Sequence, residues 1–132
     1  MKKLIVAALF FVAANFATGQ AQINWIDINE VETLMQKEPK KVLIDVYTSW
    51  CGPCKMMNRT TFSDPDVVDY INKNYYAIKF NAEGEDPVNF KGKEFLNEGF
   101  DPARTRGRNS THDFTRAIAP VNGRIAYPTV VY

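Results

Sequence analysis

The chain reads as a single α/β domain, and three observations carry that expectation. Two short apolar runs rich in β-branched residues, Lys41–Tyr47 (KVLIDVY) and Tyr75–Phe80 (YYAIKF), suit buried strands. The segment between them reads as helix, giving a strand–helix–strand unit with a connection of about the length a parallel crossover needs. Thirdly, the string Trp50-Cys51-Gly52-Pro53-Cys54 falls where the first strand hands over to a helix.

Composition permits such a domain. A chain of 132 residues holds one domain and no more. Hydrophobic residues make up 45% and charged residues 23%, enough for a packed core. The net charge of +1 leaves no basic excess of the kind that nucleic-acid binding requires.

The N-terminus reads as a secretory signal over residues 1–21. Lys2 and Lys3 supply the positive start, and Leu4 to Ala17 is apolar or small except for Asn15. Small residues follow at Ala17, Gly19 and Ala21, so cleavage falls after Gly19 or, by preference, after Ala21. The mature domain is then residues 22–132. An uncleaved anchor is the other reading, but about 20 apolar residues are usually needed to span a membrane. The expected location is therefore outside the cytoplasm, periplasmic or secreted, in a bacterium, with no stable membrane span after cleavage.

Along the mature chain, Ile23 to Ile28 alternates weakly and suits a first strand. Asn29 with Glu32 resembles a capping box, Val31, Leu34 and Met35 fall at helical spacing, and Pro39 stops that helix. After Lys41–Tyr47 and a turn, a helix is expected from Cys54 through Met56 and Met57, both read as packing residues. Ser63-Asp64-Pro65 breaks the chain and starts the next helix, with Val67, Val68, Tyr70 and Ile71 as its apolar face. Residues 83–109 read as an insertion. They begin with a polar turn, form a small hairpin around Lys91-Gly92, and end in a Gly-, Arg- and Asn-rich stretch without periodicity. Within it, Arg104, Arg106 and Arg108 suit a solvated loop or a contact with an acidic partner. Asn109-Ser110-Thr111 fits a glycosylation pattern too short to carry weight. Ser110 is placed as the cap of a short helix, with His112 in its first turn in a solvated or capping role. Asn122-Gly123 turns the chain into a last strand, Ile125–Tyr132, interrupted by Pro128.

The two cysteines carry the chemistry. An exported domain of this size does not need disulfide staples, and a pair three positions apart closes too small a loop to constrain the unfolded chain. Zinc would require two further ligands, and the chain offers no other Cys and one His, so no metal is expected. Redox chemistry remains the better explanation. Only a thiolate attacks a disulfide, and a helix N-terminus stabilises one through unpaired N–H groups and a partial positive charge. Gly52 is read as permitting a tight bend, and Pro53 suits a first helical turn because its missing N–H is not needed there.

These residues resemble the thioredoxin superfamily. The resemblance covers VLIDVYTSWCGPCKMM, YYAIKFNAE and the closing YPTVVY, and the string WCGPCK is identical to the common thioredoxin active site. Thr60–Val67 (TTFSDPDV) is similar to exported relatives, among them a domain of a membrane-embedded disulfide-interchange reductase. The resemblance implies a mixed sheet flanked by helices and an exported thiol–disulfide oxidoreductase working without cofactor. It implies that Cys51 attacks and Cys54 resolves, that Trp50 shapes the substrate surface beside Gly52 and Pro53, and that Asp45 is a buried carboxylate taking the Cys54 proton. Lys79 would approach Asp45. Pro128 would be a cis proline leaving the Tyr127 backbone free to pair with a bound peptide. Read without the resemblance, Asp45 is an edge or capping carboxylate and Lys79 a solvated strand residue. The implied partners are protein thiols and disulfides, and a membrane or soluble electron donor. Two departures stand out: the insertion, expected over the active-site face, and an end at Tyr132, short of the family's usual last strand and helix.

Overall fold

The computed structural model describes residues 21–104 and 106–132; the expected signal segment, save Ala21, lies outside the described residues. The elements run β1 (Trp25–Ile26), a 3₁₀ turn (Ile28–Glu30), α1 (Val31–Lys37), β2 (Lys41–Tyr47), α2 (Gly52–Arg59) and a second 3₁₀ turn (Thr61–Ser63). They continue with α3 (Pro65–Asn74), β3 (Tyr75–Asn81), the hairpin β4 (Val88–Phe90) and β5 (Lys93–Phe95), α4 (Asp113–Ile118) and β6 (Thr129–Val131).

The main sheet is mixed, in the order β1-β3-β2-β6. β1, β3 and β2 run parallel and β6 antiparallel to β2. Helical crossovers cover both faces of the parallel part, which is why β2 reads as a nearly unbroken apolar run. Side chains alternate across the sheet. Ile44, Val46 and Ile78 enter one core with Val31, Val88 and Phe114, while Leu43 and Ala77 enter a second with Phe62, Val68 and Ile71. By the same alternation Asp45 and Lys79, paired in register across β2 and β3, lie on the second face.

The hairpin belongs to the first core. Phe114, fully buried, meets the edges of Phe80, Phe90 and Phe95 at 5.2, 5.6 and 5.3 Å between centroids. Lys91 and Gly92 both take left-handed backbone (φ 50° and 72°), as a tight two-residue hairpin demands. The hairpin is also stitched to the start of α1. Asn89 N–H donates to Asn29 Oδ1 (2.7 Å), and Lys91 N–H donates to Glu32 Oε1 (3.0 Å).

Those bonds correct the expected capping box: Asn29 and Glu32 serve the hairpin, and Asp27 accepts from Asn29 N–H at 2.7 Å to cap the 3₁₀ turn instead. Nor does Ser110 cap α4. The helix begins at Asp113, and its N-cap is His112, wholly buried, whose Nδ1 accepts from Phe114 N–H (3.0 Å) while Nε2 meets the Asp86 carbonyl (3.1 Å). Met56 is 63% exposed rather than core, whereas Met57 packs in the second core.

Candidate active site

β2 ends at Tyr47, and α2 begins at Gly52 with Cys51 as its N-cap. Cys51 and Cys54 form a disulfide, with Cα atoms 5.3 Å apart. Cys54 N–H donates to Cys51 Sγ at 3.1 Å. That N–H is one of the helix's orphan donors, and it will meet a thiolate at the same sulfur once the bond is reduced. Pro53 sits in the first turn. The helix starts two residues earlier than Cys54, and Gly52 is an ordinary helical residue. A Cβ built on it meets nothing within 4 Å, so no bend there depends on glycine. Cys51 and Cys54 are only 2% and 5% exposed.

On the second face of β2 lies Asp45, 1% exposed. Its Oδ2 accepts from Lys79 Nζ at 3.3 Å, and its Oδ1 finds no partner among the described residues. Burial pushes the Asp45 carboxyl above its ordinary value, and the Lys79 charge and hydrogen bond offset part of that rise. Lys79 is held by more than Asp45. Its ammonium lies 5.0, 5.3 and 5.9 Å from the rings of Trp25, Tyr47 and Phe62, and it donates to Asn58 Oδ1 at 2.7 Å. A cavity of about 260 Å³ lined by Thr48, Cys54, Asn58 and Lys79 joins the resolving cysteine to this lysine.

On the other side stands Trp50. Its Nε1–H donates to Glu83 Oε2 at 2.9 Å, and the same oxygen accepts from Asn109 N–H at 2.9 Å. The Arg108 guanidinium is 4.7 Å from the indole centroid, and the Tyr127 ring meets the indole edge-on at 6.0 Å. The Tyr127–Pro128 bond is cis.

The structure thus brings Asp45 and Lys79 together behind α2, and Trp50 and Tyr127 together beside it. Two residues escaped the sequence reading. Asn58 lies one helical turn after Cys54 on the same face of α2, a spacing that pointed to it. Glu83 reads in the sequence as part of a polar turn, yet the β2–β3 register, with Tyr47 opposite Asn81, carries it alongside the segment leading to Trp50. The hairpin packs against α1 and the first core; from the expected insertion, Glu83, Arg108 and Asn109 reach the motif.

A Cys-Gly-Pro-Cys disulfide at the strand-to-helix junction of this mixed sheet defines a thioredoxin-type thiol–disulfide exchange domain. The chain belongs to the thioredoxin-like family, whose model matches residues 24–103. It is similar to the thiol:disulfide interchange protein DsbD of Escherichia coli K12, 36% identical over 61 residues covering 43% of this chain and 11% of that protein. The protein of the same name from Pectobacterium atrosepticum is 34% identical over 64 residues (42% and 11%). An uncharacterised protein of Archaeoglobus fulgidus is 29% identical over 100 residues, covering 74% of this chain and 79% of the other. The chain therefore spans about a tenth of the length of the interchange proteins it matches.

Proposed function

We propose that the protein reduces protein disulfides in an exported location, the periplasm or beyond, with residues 22–132 as the working domain. The observation that carries the exchange chemistry is the Cys54 N–H on Cys51 Sγ at a helix start, with a buried carboxyl of raised proton affinity on the strand that leads to the pair.

In the reduced protein the Cys51 thiolate attacks one sulfur of a substrate disulfide. A Cys51–substrate S–S bond forms, the substrate's own bond breaks, and the departing sulfur takes a proton. Cys54 then gives its proton to Asp45 and attacks Cys51 Sγ. The Cys51–Cys54 bond forms, and the second substrate sulfur leaves with the proton that Asp45 took. The substrate has gained two electrons and two protons; the protein has given both electrons and the Cys54 proton, and water the other proton. A partner dithiol, on a membrane or soluble protein, restores the reduced state by the reverse exchange. No metal or other cofactor enters. Lys79 holds the Asp45 carboxyl in place. Trp50, Gly52, Pro53, Tyr127 and Pro128 form the surface on which the substrate lies. The identity of WCGPCK with the common thioredoxin string favours reduction over oxidation or isomerisation.

One observation favours a non-catalytic binding module instead: Cys51 is 2% exposed, little for a sulfur that must be reached. Insulin reduction driven by dithiothreitol separates the two. We expect turnover that vanishes in Cys51→Ser, and a trapped mixed disulfide in Cys54→Ser. Wild-type protein that binds insulin without reducing it would leave the binding module.

A further inference from the structure

After β3 the chain makes a long excursion whose last residues return to the tryptophan of the motif. Asn109 ties that excursion shut. Its Oδ1 accepts from the N–H groups of Asp101 (2.9 Å) and Ser110 (2.8 Å), and its Nδ2 donates to the Asp101 carbonyl (2.9 Å). Its own N–H donates to Glu83 Oε2, the oxygen that also holds the Trp50 indole N–H. The residue just before this tie is Arg108, placed by it over the indole face at 4.7 Å.

Arg108 is exposed and forms no ion pair among the described residues. Arg104, by contrast, pairs with Asp101 at 3.2 Å and Arg116 lies 3.9 Å from Asp113. A guanidinium stacked on an indole keeps its N–H fork open at the edge, and that fork matches a carboxylate. Arg108, Trp50, Thr111 and Tyr127 line one groove of about 480 Å³ beside the cysteine motif. Glu83 also lines it, but it is 8% exposed with two N–H donors on Oε2, so the guanidinium is the exposed charge there.

We propose that Arg108 is a specificity-determining residue that selects substrates bearing an acidic side chain next to the disulfide. An extended acidic segment lies in the groove with its carboxylate on the guanidinium, which brings its disulfide to Cys51. This inference rests on the oxidoreductase reading and adds a substrate class to it.

The test uses the full chain, kept reduced by dithiothreitol, and two synthetic peptides with one internal disulfide each, flanked by Glu in one and Gln in the other. Wild-type kcat/KM favours the Glu peptide by about tenfold, the worth of one charge-assisted pair, with the difference in KM rather than kcat. In Arg108→Ala the ratio falls to near one, and in Arg108→Glu it drops below one. Because each ratio is taken within one variant, a loss of folded protein does not disturb it. Turnover by wild type with a ratio near one overturns this inference alone, as does an Arg108→Ala protein that keeps the wild-type ratio. Equal acceleration of both peptides in Arg108→Ala also overturns it, making Arg108 a cover over the motif. No turnover of either peptide by wild type overturns both this inference and the oxidoreductase reading.

Discussion

Asp45 is a carboxyl almost sealed from water, with one oxygen on Lys79 and the other without a partner among the described residues. Its raised proton affinity has a definite sign in stability. The folded state holds the proton more tightly than the unfolded chain. The group's contribution is thus fully present below the ordinary carboxylate range, near about pH 4, and lost as pH rises through the folded value. Above that value the buried charge is a cost of about 1.4 kcal/mol for each unit of the rise. Asp45→Asn should therefore melt higher than wild type at pH 8, with the gap closing toward pH 4 in a series of thermal unfolding curves. The same variant should resolve mixed disulfides about 10²-fold more slowly, since a positioned proton acceptor is lost. An Asp45→Asn protein less stable than wild type at pH 8 would contradict this account of its burial. Gly52 leads to the opposite kind of prediction. With open space at its Cβ and helical backbone, Gly52→Ala should fold at least as stably as wild type, and up to about 1 kcal/mol better by helix propensity, as read by urea unfolding. Any loss of activity would then lie in substrate contact. Cys51 and Cys54 were legible in the sequence because their spacing at a strand-to-helix junction is itself the signal, whereas the burial of Asp45 was expected only through the resemblance. Glu83 was not, because its partner Trp50 lies far away in the chain and only strand register joins them.

At the scale of elements, the two central strands and the hairpin could be read directly, whereas the strands expected over Ile23–Ile28 and Ile125–Tyr132 shrink to Trp25–Ile26 and Thr129–Val131. The runs Lys41–Tyr47 and Tyr75–Phe80 announce burial on both faces, and Lys91-Gly92 supplies the left-handed turn that a tight hairpin needs. The helix starts were harder. α3 starts at the expected break, Ser63-Asp64-Pro65, with Asp64 as its cap, accepting from Asp66 and Val67 N–H at 2.9 and 3.2 Å. The start of α4 defeated local rules because the cap is an imidazole. Its place is set by burial against Phe80, 5.3 Å away edge-on, and by the Asp86 carbonyl, neither of which is near in sequence. The two caps should differ accordingly. Asp64→Ala should lower stability by about 1 kcal/mol, the usual worth of a cap. His112→Ala should lower it by about 3 kcal/mol, since it also empties a fully buried site and strands a carbonyl. Urea titrations of the two variants check this, and equal losses would mean that His112 acts as a cap alone.

For the molecule as a whole, the mixed sheet places the reactive pair at the end of β2, with the carboxylate–lysine pair on one side of α2 and the Trp50 groove on the other. Long-range pairing put those groups together, so the sequence showed the first two and hid the groove. What the protein does with the pair is decided by which redox state is the more stable. The motif, identical to the common thioredoxin string, makes it a reductant, while the single N–H on Cys51 Sγ stabilises the attacking thiolate and pulls the other way. The direct test is the equilibrium of the Cys51–Cys54 pair in graded thiol and disulfide buffers. A potential near about −270 mV is the result expected of a thioredoxin-like reductant that must be supplied with electrons. A potential near about −120 mV would mean that the reduced form is strongly favoured, and the protein would be an oxidant of thiols instead.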